Sequence, residues 1–270
     1  LMALALCLTL LPTAALAAGE HKHCLCGTRG CDGAVHGTAS TMTTFDQWLG
    51  SKLENGTPQL LVGGPSNASE TELTPQNSKL VLQDGSYYLK TKSDDSSLER
   101  TVTIEYPIVI KGNVTICLNG KTIQSEGKDM PVFQIENGGT LTLTDCKGDF
   151  GKVTHSGANA APNKSINTGV NVYKGGTFNL YGGSISGNNS TRYGGVYVGG
   201  TFKMYGGSIT GNTANAGGGG VYVDIRVTFN MNGVTISGNE VNIDDGVGVK
   251  VYTFGEFTMT SGSITGNKAA

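Results

Sequence analysis

Along the second half of the chain, apolar and polar residues alternate in short bursts. Val196 and Val198 flank a tyrosine, Phe202 and Met204 flank a lysine, and Ile209 lies between Ser208 and Thr210. A period of two puts successive side chains on opposite faces of a strand, so each burst predicts a strand with one face inward. The bursts run roughly three to five residues and end in glycine or asparagine, too short for a helix.

The bursts recur as a unit. Thr177-Phe-Asn-Leu-Tyr-Gly-Gly-Ser-Ile-Ser-Gly-Asn188 returns as Thr201-Phe-Lys-Met-Tyr-Gly-Gly-Ser-Ile-Thr-Gly-Asn212. It returns again as Thr228-Phe-Asn-Met-Asn-Gly-Val-Thr-Ile-Ser-Gly-Asn239 and Glu256-Phe-Thr-Met-Thr-Ser-Gly-Ser-Ile-Thr-Gly-Asn267. The isoleucines Ile185, Ile209, Ile236 and Ile264 fall 24, 27 and 28 residues apart. A further strand precedes each block: Val170-Asn-Val172, Val196-Tyr-Val198, Val221-Tyr-Val223 and Val249-Lys-Val251. Three short strands in a unit of this length predict the coils of a parallel β-helix; a propeller blade takes about 40–45 residues and helical solenoids need helices. One coil buries too little to fold alone, so stability comes from stacking. Degenerate earlier copies are Ile116 to Ile123 and Leu141-Thr-Leu-Thr144, resuming at Gly151-Lys-Val153.

Position by position, the repeat predicts an inward stack of Phe178, Phe202, Phe229 and Phe257 and a second of Ile185, Ile209, Ile236 and Ile264. Asn188, Asn212, Asn239 and Asn267 each follow a glycine at a fixed place. Asparagine tolerates the left-handed backbone of a tight corner, and stacked coils would align the four amides as a structural ladder. Further upstream, Lys79 to Gln83, Ser86 to Lys90, Thr101 to Ile110 and Val114 to Leu118 are strand-like in composition. Phe45, Trp48, Leu49 and Leu53 form one apolar stripe at helical spacing, which predicts a short helix over 44–55, poised to cover the end of the stack.

Composition adds limits. Glycine reaches 42 of 270 residues without the every-third spacing of collagen. The 19 basic and 21 acidic residues nearly cancel, which argues against nucleic acid as a partner. Residues Leu4 to Leu16 form an apolar run ending in Ala15-Leu16-Ala17, the pattern of a cleaved signal peptide, although no Lys or Arg precedes it. No later apolar run is long enough to span a membrane. The organisation expected is a signal peptide at 1–17, a Cys/His-rich leader at 18–42, a helix and connecting segment at 43–85 and the β-helix at 86–270, about seven coils. The last repeat is no different from those before it, so further coils are expected beyond residue 270.

Cys24, Cys26, Cys31 and His36 lie within a few residues of one another in the leader. Tetrahedral zinc takes four such ligands. A local disulfide with one thiol to spare fits the same residues, and so does a leader with neither. Cys117 and Cys146 form a separate pair one coil apart, at different positions within their coils.

These repeats resemble the right-handed parallel β-helix proteins of the pectin lyase-like class, and among them the glycine-rich surface repeats of secreted bacterial proteins. Ser86-Tyr-Tyr-Leu89, Thr115-Ile-Cys-Leu-Asn-Gly-Lys-Thr-Ile123 and Thr140-Leu-Thr-Leu-Thr-Asp-Cys146 resemble the opening coils of such proteins, and residues 21–36 a leader found in some. The resemblance implies an all-β, right-handed parallel β-helix and a secreted or cell-surface location. It carries no catalytic set onto this chain. Polygalacturonases of the class carry separated aspartates, a His-Gly and an Arg-x-Lys; here Asp244-Asp245 could mimic the aspartates, His36-Gly37 lies in the leader, and Arg-x-Lys does not occur. Asp224, Asp244 and Asp245, with Arg226 and Lys250 nearby, are too few for the calcium site of a pectate lyase, which wants six or more oxygens.

Two functions from different classes remain. One is a non-catalytic scaffold, adhesin-like or in contact with surface or host glycans. The other is a lyase or hydrolase whose active coils lie partly outside these residues. For the first, Tyr197 and Tyr222 share a repeat position between inward valines and are expected to point outward together, as are Tyr181 and Tyr205 on another sheet. Such rings can lie against sugars or simply stabilise the face of a sheet.

Overall fold

The structure is a computed structural model describing residues 80–89, 101–127, 129–148, 150–155, 167–243 and 246–269, together with short strand pairings at 23–24, 36–37, 43–44, 53–54 and 57–58. All the described elements are strands, and no described helix is long and apolar enough to cross a membrane.

The repeats close into a parallel β-solenoid. A first sheet stacks Leu80–Leu82, Ile108–Ile110, Phe133–Ile135, Val170–Val172, Val196–Val198, Val221–Val223 and Val249–Val251. A second stacks Gly85–Tyr88, Asn113–Cys117, Thr140–Thr144, Thr177–Leu180, Thr201–Met204, Thr228–Met231 and Glu256–Met259, with Thr43–Thr44 added beside Gly85–Tyr88. A third runs from Thr101–Ile104 to Gly262–Thr265. The chain visits the sheets in turn, making about six turns from first coil to last. Every strand pair in these three sheets is parallel, and equivalent residues face one another across coils.

A fourth, two-residue-wide sheet lies outside the expected plan: Asn189–Ser190, Thr213–Ala214, Glu240–Val241 and Lys268–Ala269. Each strand directly follows a repeated asparagine. The segment is too short for any alternation to show.

Both predicted stacks are present. Phe178, Phe202 and Phe229 are wholly buried, and Phe257 packs against them partly buried. Successive ring centroids lie 4.9, 4.6 and 5.0 Å apart with nearly parallel planes. Ile185, Ile209 and Ile236 are buried above a partly buried Ile264. Burying each such side chain contributes about 1.5–3 kcal/mol.

The asparagines form the ladder as well. Asn188 Nδ2 donates to Asn212 Oδ1 at 2.9 Å, Asn212 to Asn239 at 3.0 Å, and Asn239 to Asn267 at 2.9 Å. The same oxygens accept the backbone N–H of the asparagine one coil earlier. Each Nδ2 also donates to a main-chain carbonyl: Val153, Ile185, Ile209 and Ile236 in turn. Those carbonyls dictate which end of each amide is nitrogen, so the whole ladder has one polarity.

The expected reason for asparagine needs correcting. The left-handed corner is taken by the preceding glycines, Gly187, Gly211, Gly238 and Gly266, with φ between 61° and 69°. At Gly211 an added Cβ would meet nothing within 4 Å, so φ and not space requires glycine there. Asparagine is selected by the ladder. Other glycines make room for it: a Cβ on Gly195 would come within 2.8 Å of Ile209 Cγ2 and 3.0 Å of Asn212 Nδ2.

The expected helix over 44–55 falls outside the described residues except at Thr44 and at Leu53–Glu54, which are strand. Thr43–Thr44 lengthens the second sheet at its N-terminal end.

One buried histidine, which the repeat pattern did not flag, tops the ladder. His155 ends the strand Lys152–His155. Its Nδ1 lies 2.9 Å from Asn188 Oδ1 and its Nε2 lies 2.9 Å from the Met130 carbonyl oxygen. Both partners accept, so a neutral ring can donate to only one of them. Burial lowers its pKa from the ordinary 6.5, with the two hydrogen bonds acting the other way.

Asn212→Ala would remove the acceptor of the Asn188 backbone N–H, one of the two acceptors of Asn188 Nδ2 and the side-chain donor to the Ile185 carbonyl, at a cost of about 3 kcal/mol in urea unfolding. Asn230→Ala, on the outer face of the second sheet, should stay within about 0.5 kcal/mol of the parent. The pH response has a definite sign. The folded chain holds His155 neutral while the unfolded chain takes up a proton, so stability is full above about pH 6.5 and declines as pH falls below it. Thermal unfolding between pH 7.5 and 5 should show this decline, and His155→Gln should flatten it.

Candidate functional site

The outward positions of the first sheet are where chemistry gathers. Inward valines on either side leave one residue per coil facing out, and parallel register aligns these as Gln134, Asn171, Tyr197, Tyr222 and Lys250. Tyr197 and Tyr222 are therefore neighbours as expected, with centroids 6.0 Å apart and planes 18° from parallel.

The loop before the Val196–Val198 strand adds a third ring. Tyr193 lies 4.7 Å from Tyr197 and 4.4 Å from Tyr222, across both. Tyr173 meets Tyr197 edge-on at 6.5 Å, and Tyr252 stacks on Tyr222 at 6.2 Å. Five tyrosines from four coils thus form one strip. Tyr222 is not the exposed ring that its outward position implied: it keeps 8% of its surface, because its neighbours cover it. Tyr173 and Tyr252 are the open rings, at 40% and 50%.

Two polar groups fix the strip's chemistry. Tyr197 donates its hydroxyl to Asp224 Oδ2 at 2.5 Å, and Asp224 Oδ1 accepts the Ile225 N–H at 2.8 Å. Asn171 is 6% exposed, and its Oδ1 is buried with no hydrogen-bond partner among the described residues. Burial, followed by the hydrogen bond to Asp224, drives the Tyr197 pKa well up. Burial, then the Tyr193 and Asp224 charges, pushes Tyr222 up to about 12. Tyr193 moves the same way, again mainly by burial. These phenols stay neutral near pH 7. They can stack, donate and accept, but they are not poised to take part in proton transfer.

Tyr181 and Tyr205 also stack, with centroids 4.8 Å apart. They sit just past the strands Thr177–Leu180 and Thr201–Met204, at the corner beyond the second sheet. The first sheet carries the larger group of rings.

In the leader, the backbone pairs Cys24 with His36 and His23 with Gly37 in a two-stranded antiparallel ladder. Cys26 and Cys31 lie outside the described residues, as do Asp244 and Asp245. No group of three potential metal ligands occurs among the described residues. Asp224 and Arg226, considered for catalysis, lie at the edge of the strip; Arg226 stands over the Phe254 ring at 5.9 Å.

Tyr193, Tyr173, Tyr252 and Asn171 were missed as site residues. The tyrosines lie outside the Val-x-Val motif, and an asparagine at a tyrosine position looks like a gap in the strip. Three residues after each strand's first valine, Tyr173 and Tyr252 do share a repeat position, a signal that could have found them.

No protein-family model, curated protein or solved structure matches the chain.

Because the raised pKa values favour neutral tyrosine in the folded chain, stability should fall as pH rises above about 10, where unfolded tyrosine ionises. In spectrophotometric titration, Tyr222→Phe should lose no phenolate absorbance relative to the parent until pH approaches 12.

Proposed function

We propose that this chain is a non-catalytic, secreted or cell-surface β-helix repeat protein that contacts glycans through the tyrosine strip of its first sheet. The observation that carries this reading is Asn171. A buried amide oxygen without a partner costs about 1–3 kcal/mol unless something donates to it. It stands in register with Tyr197, beside the open ring of Tyr173. A sugar hydroxyl is a donor of the right kind once the side chains covering the oxygen move aside, and an adjacent aromatic face suits the apolar face of a sugar ring.

The rest of the strip supports the same ligand class. The rings are held by one another and by Asp224, so little conformational entropy is lost on binding. Neutral phenols and a single nearby carboxylate favour hydroxyl-rich, uncharged saccharides. The strip spans only four coils, so each site binds weakly and useful adhesion comes from many copies. A host or microbial surface glycan is the partner this implies, and no cofactor is needed for it.

A glycan array with the purified chain tests the proposal. Binding to neutral oligosaccharides is expected. Tyr173→Ala and Asn171→Ala should each weaken it about tenfold or more while the unfolding midpoint changes little, since Tyr173 is open and the Asn171 Oδ1 has no bond to lose among the described residues. Unchanged binding in both variants would leave the strip as sheet structure. Release of unsaturated or reducing sugars by the parent would instead establish a lyase or hydrolase.

A further inference from the structure

The outer face of the second sheet holds a sulfur cluster well apart from the tyrosines in sequence. Cys117 ends the strand Asn113–Cys117, in register with Tyr88 of the coil before and Thr144 of the coil after. Val114 and Ile116 alternate into the core, so Cys117 faces out, yet it is wholly buried. Tyr88 covers it, and Cys146 packs against both.

Cys146 belongs to the next coil and lies two residues beyond Thr144. Spacing alone put the two cysteines at different coil positions. The turn after Thr144 brings them together, and Asp145 pins that turn. Its Oδ1 accepts the N–H of Gly120, at 2.7 Å, and of Lys147, at 3.1 Å; its Oδ2 accepts that of Gly151 at 2.5 Å. The Gly120 bond reaches back to the coil that carries Cys117. As a result Cys117 Sγ lies 3.3 Å from Cys146 Sγ, which is in turn 3.5 Å from Asn119 Oδ1.

We propose that Cys117 and Cys146 are an oxidation site that closes to a disulfide, stapling the coil of residues 108–125 to the coil of residues 133–155. A disulfide needs the sulfurs about 2.05 Å apart, a closure of roughly 1.3 Å that side-chain rotation can supply. The oxidant is a small-molecule disulfide such as glutathione disulfide. The thiolate of half-exposed Cys146 attacks it, forming a mixed disulfide and releasing one thiol. Cys117 then loses its proton and attacks Cys146 Sγ, which forms the S–S bond and releases the second thiol. Two electrons and two protons pass from the cysteines to the oxidant.

The staple sits where the structure has most use for it. The asparagine ladder starts at Asn188 and is topped by His155, so the coils carrying Cys117 and Cys146 lie at or before its end. The bond from Cys117, followed by burial, holds the Cys146 thiol well above the usual range. Closure is therefore slow at neutral pH and faster in alkali, as suits a structural bridge more than an exchange catalyst. The proposal does not depend on the glycan reading.

Incubating the full chain with glutathione disulfide, alkylating the remaining thiols and digesting with trypsin without reduction tests it. The expected product joins the peptides 112–121 and 129–147 at their summed mass less two hydrogens. The oxidised chain should unfold about 5–10 °C higher than the same chain after reductant, as expected for a bridge closing a loop of this length in a domain of this size. Cys146→Ser should show neither change. Alkylation of both cysteines, a persistent mixed disulfide on Cys146, or a link from either to a leader cysteine would overturn the proposal. So would the expected crosslink with an unchanged midpoint.

Discussion

An amide in each of four consecutive coils, buried in three of them, must find its donors and acceptors in neighbouring coils, and the rest of the solenoid is arranged around that requirement. Asn212, Asn239 and Asn267 each satisfy a backbone amide, a side-chain amide and a main-chain carbonyl at once, and Asn188 a main-chain carbonyl and the His155 ring. Apolar stacking alone tolerates sliding by two residues, which keeps the same face of the strand inward. The ladder does not: a shifted coil leaves several buried polar groups unpaired, at a cost of about 1–3 kcal/mol each. The glycines follow from the same constraint. Some supply the left-handed corner before the asparagine, and others, such as Gly195, leave space for it.

Once the register is set, the outer surface follows. Alternate residues point outward, and parallel pairing turns a repeat position into a row. The tyrosine strip is such a row, reinforced by loop and corner rings. Its polar groups are unusual because they belong to single coils. Asp224 and Asn171 recur in no neighbouring unit, so they do not serve the repeat itself. Stability resides in what is repeated, whereas the candidate site resides in what departs from the repeat.

The two ends of the described solenoid are held differently. The later coils have the ladder and the phenylalanine stack. Towards the N-terminal side, aliphatic residues replace the phenylalanines: Val114 and Leu141 take the positions of Phe178 and Phe202. There the links between coils include Tyr88, Cys117 and Cys146 on the outside of the sheet and the carboxylate of Asp145 at its corner. His155 joins the two regimes, bonded to Met130 on one side and to Asn188 on the other.

From the sequence alone came the strand type, the coil length, the parallel stacking and the identity of the inward residues. All of these follow from short-range alternation and from repetition, which survive in one dimension. The ladder was legible for the same reason, since a residue fixed in a repeat must stack on its copies. The rings of the strip were only half legible. Tyr197 and Tyr222 announced themselves by position, but Tyr193 comes from a loop of variable length, and only folding lays it across both and buries Tyr222 beneath its neighbours. Asn171 gained significance only once its oxygen was found buried and without a partner among the described residues. Likewise the cysteine pair required the turn at Asp145 to carry Cys146 back over Cys117. Each of these was decided by tertiary structure because it depends on how a non-repeating segment bends, and no periodicity encodes that.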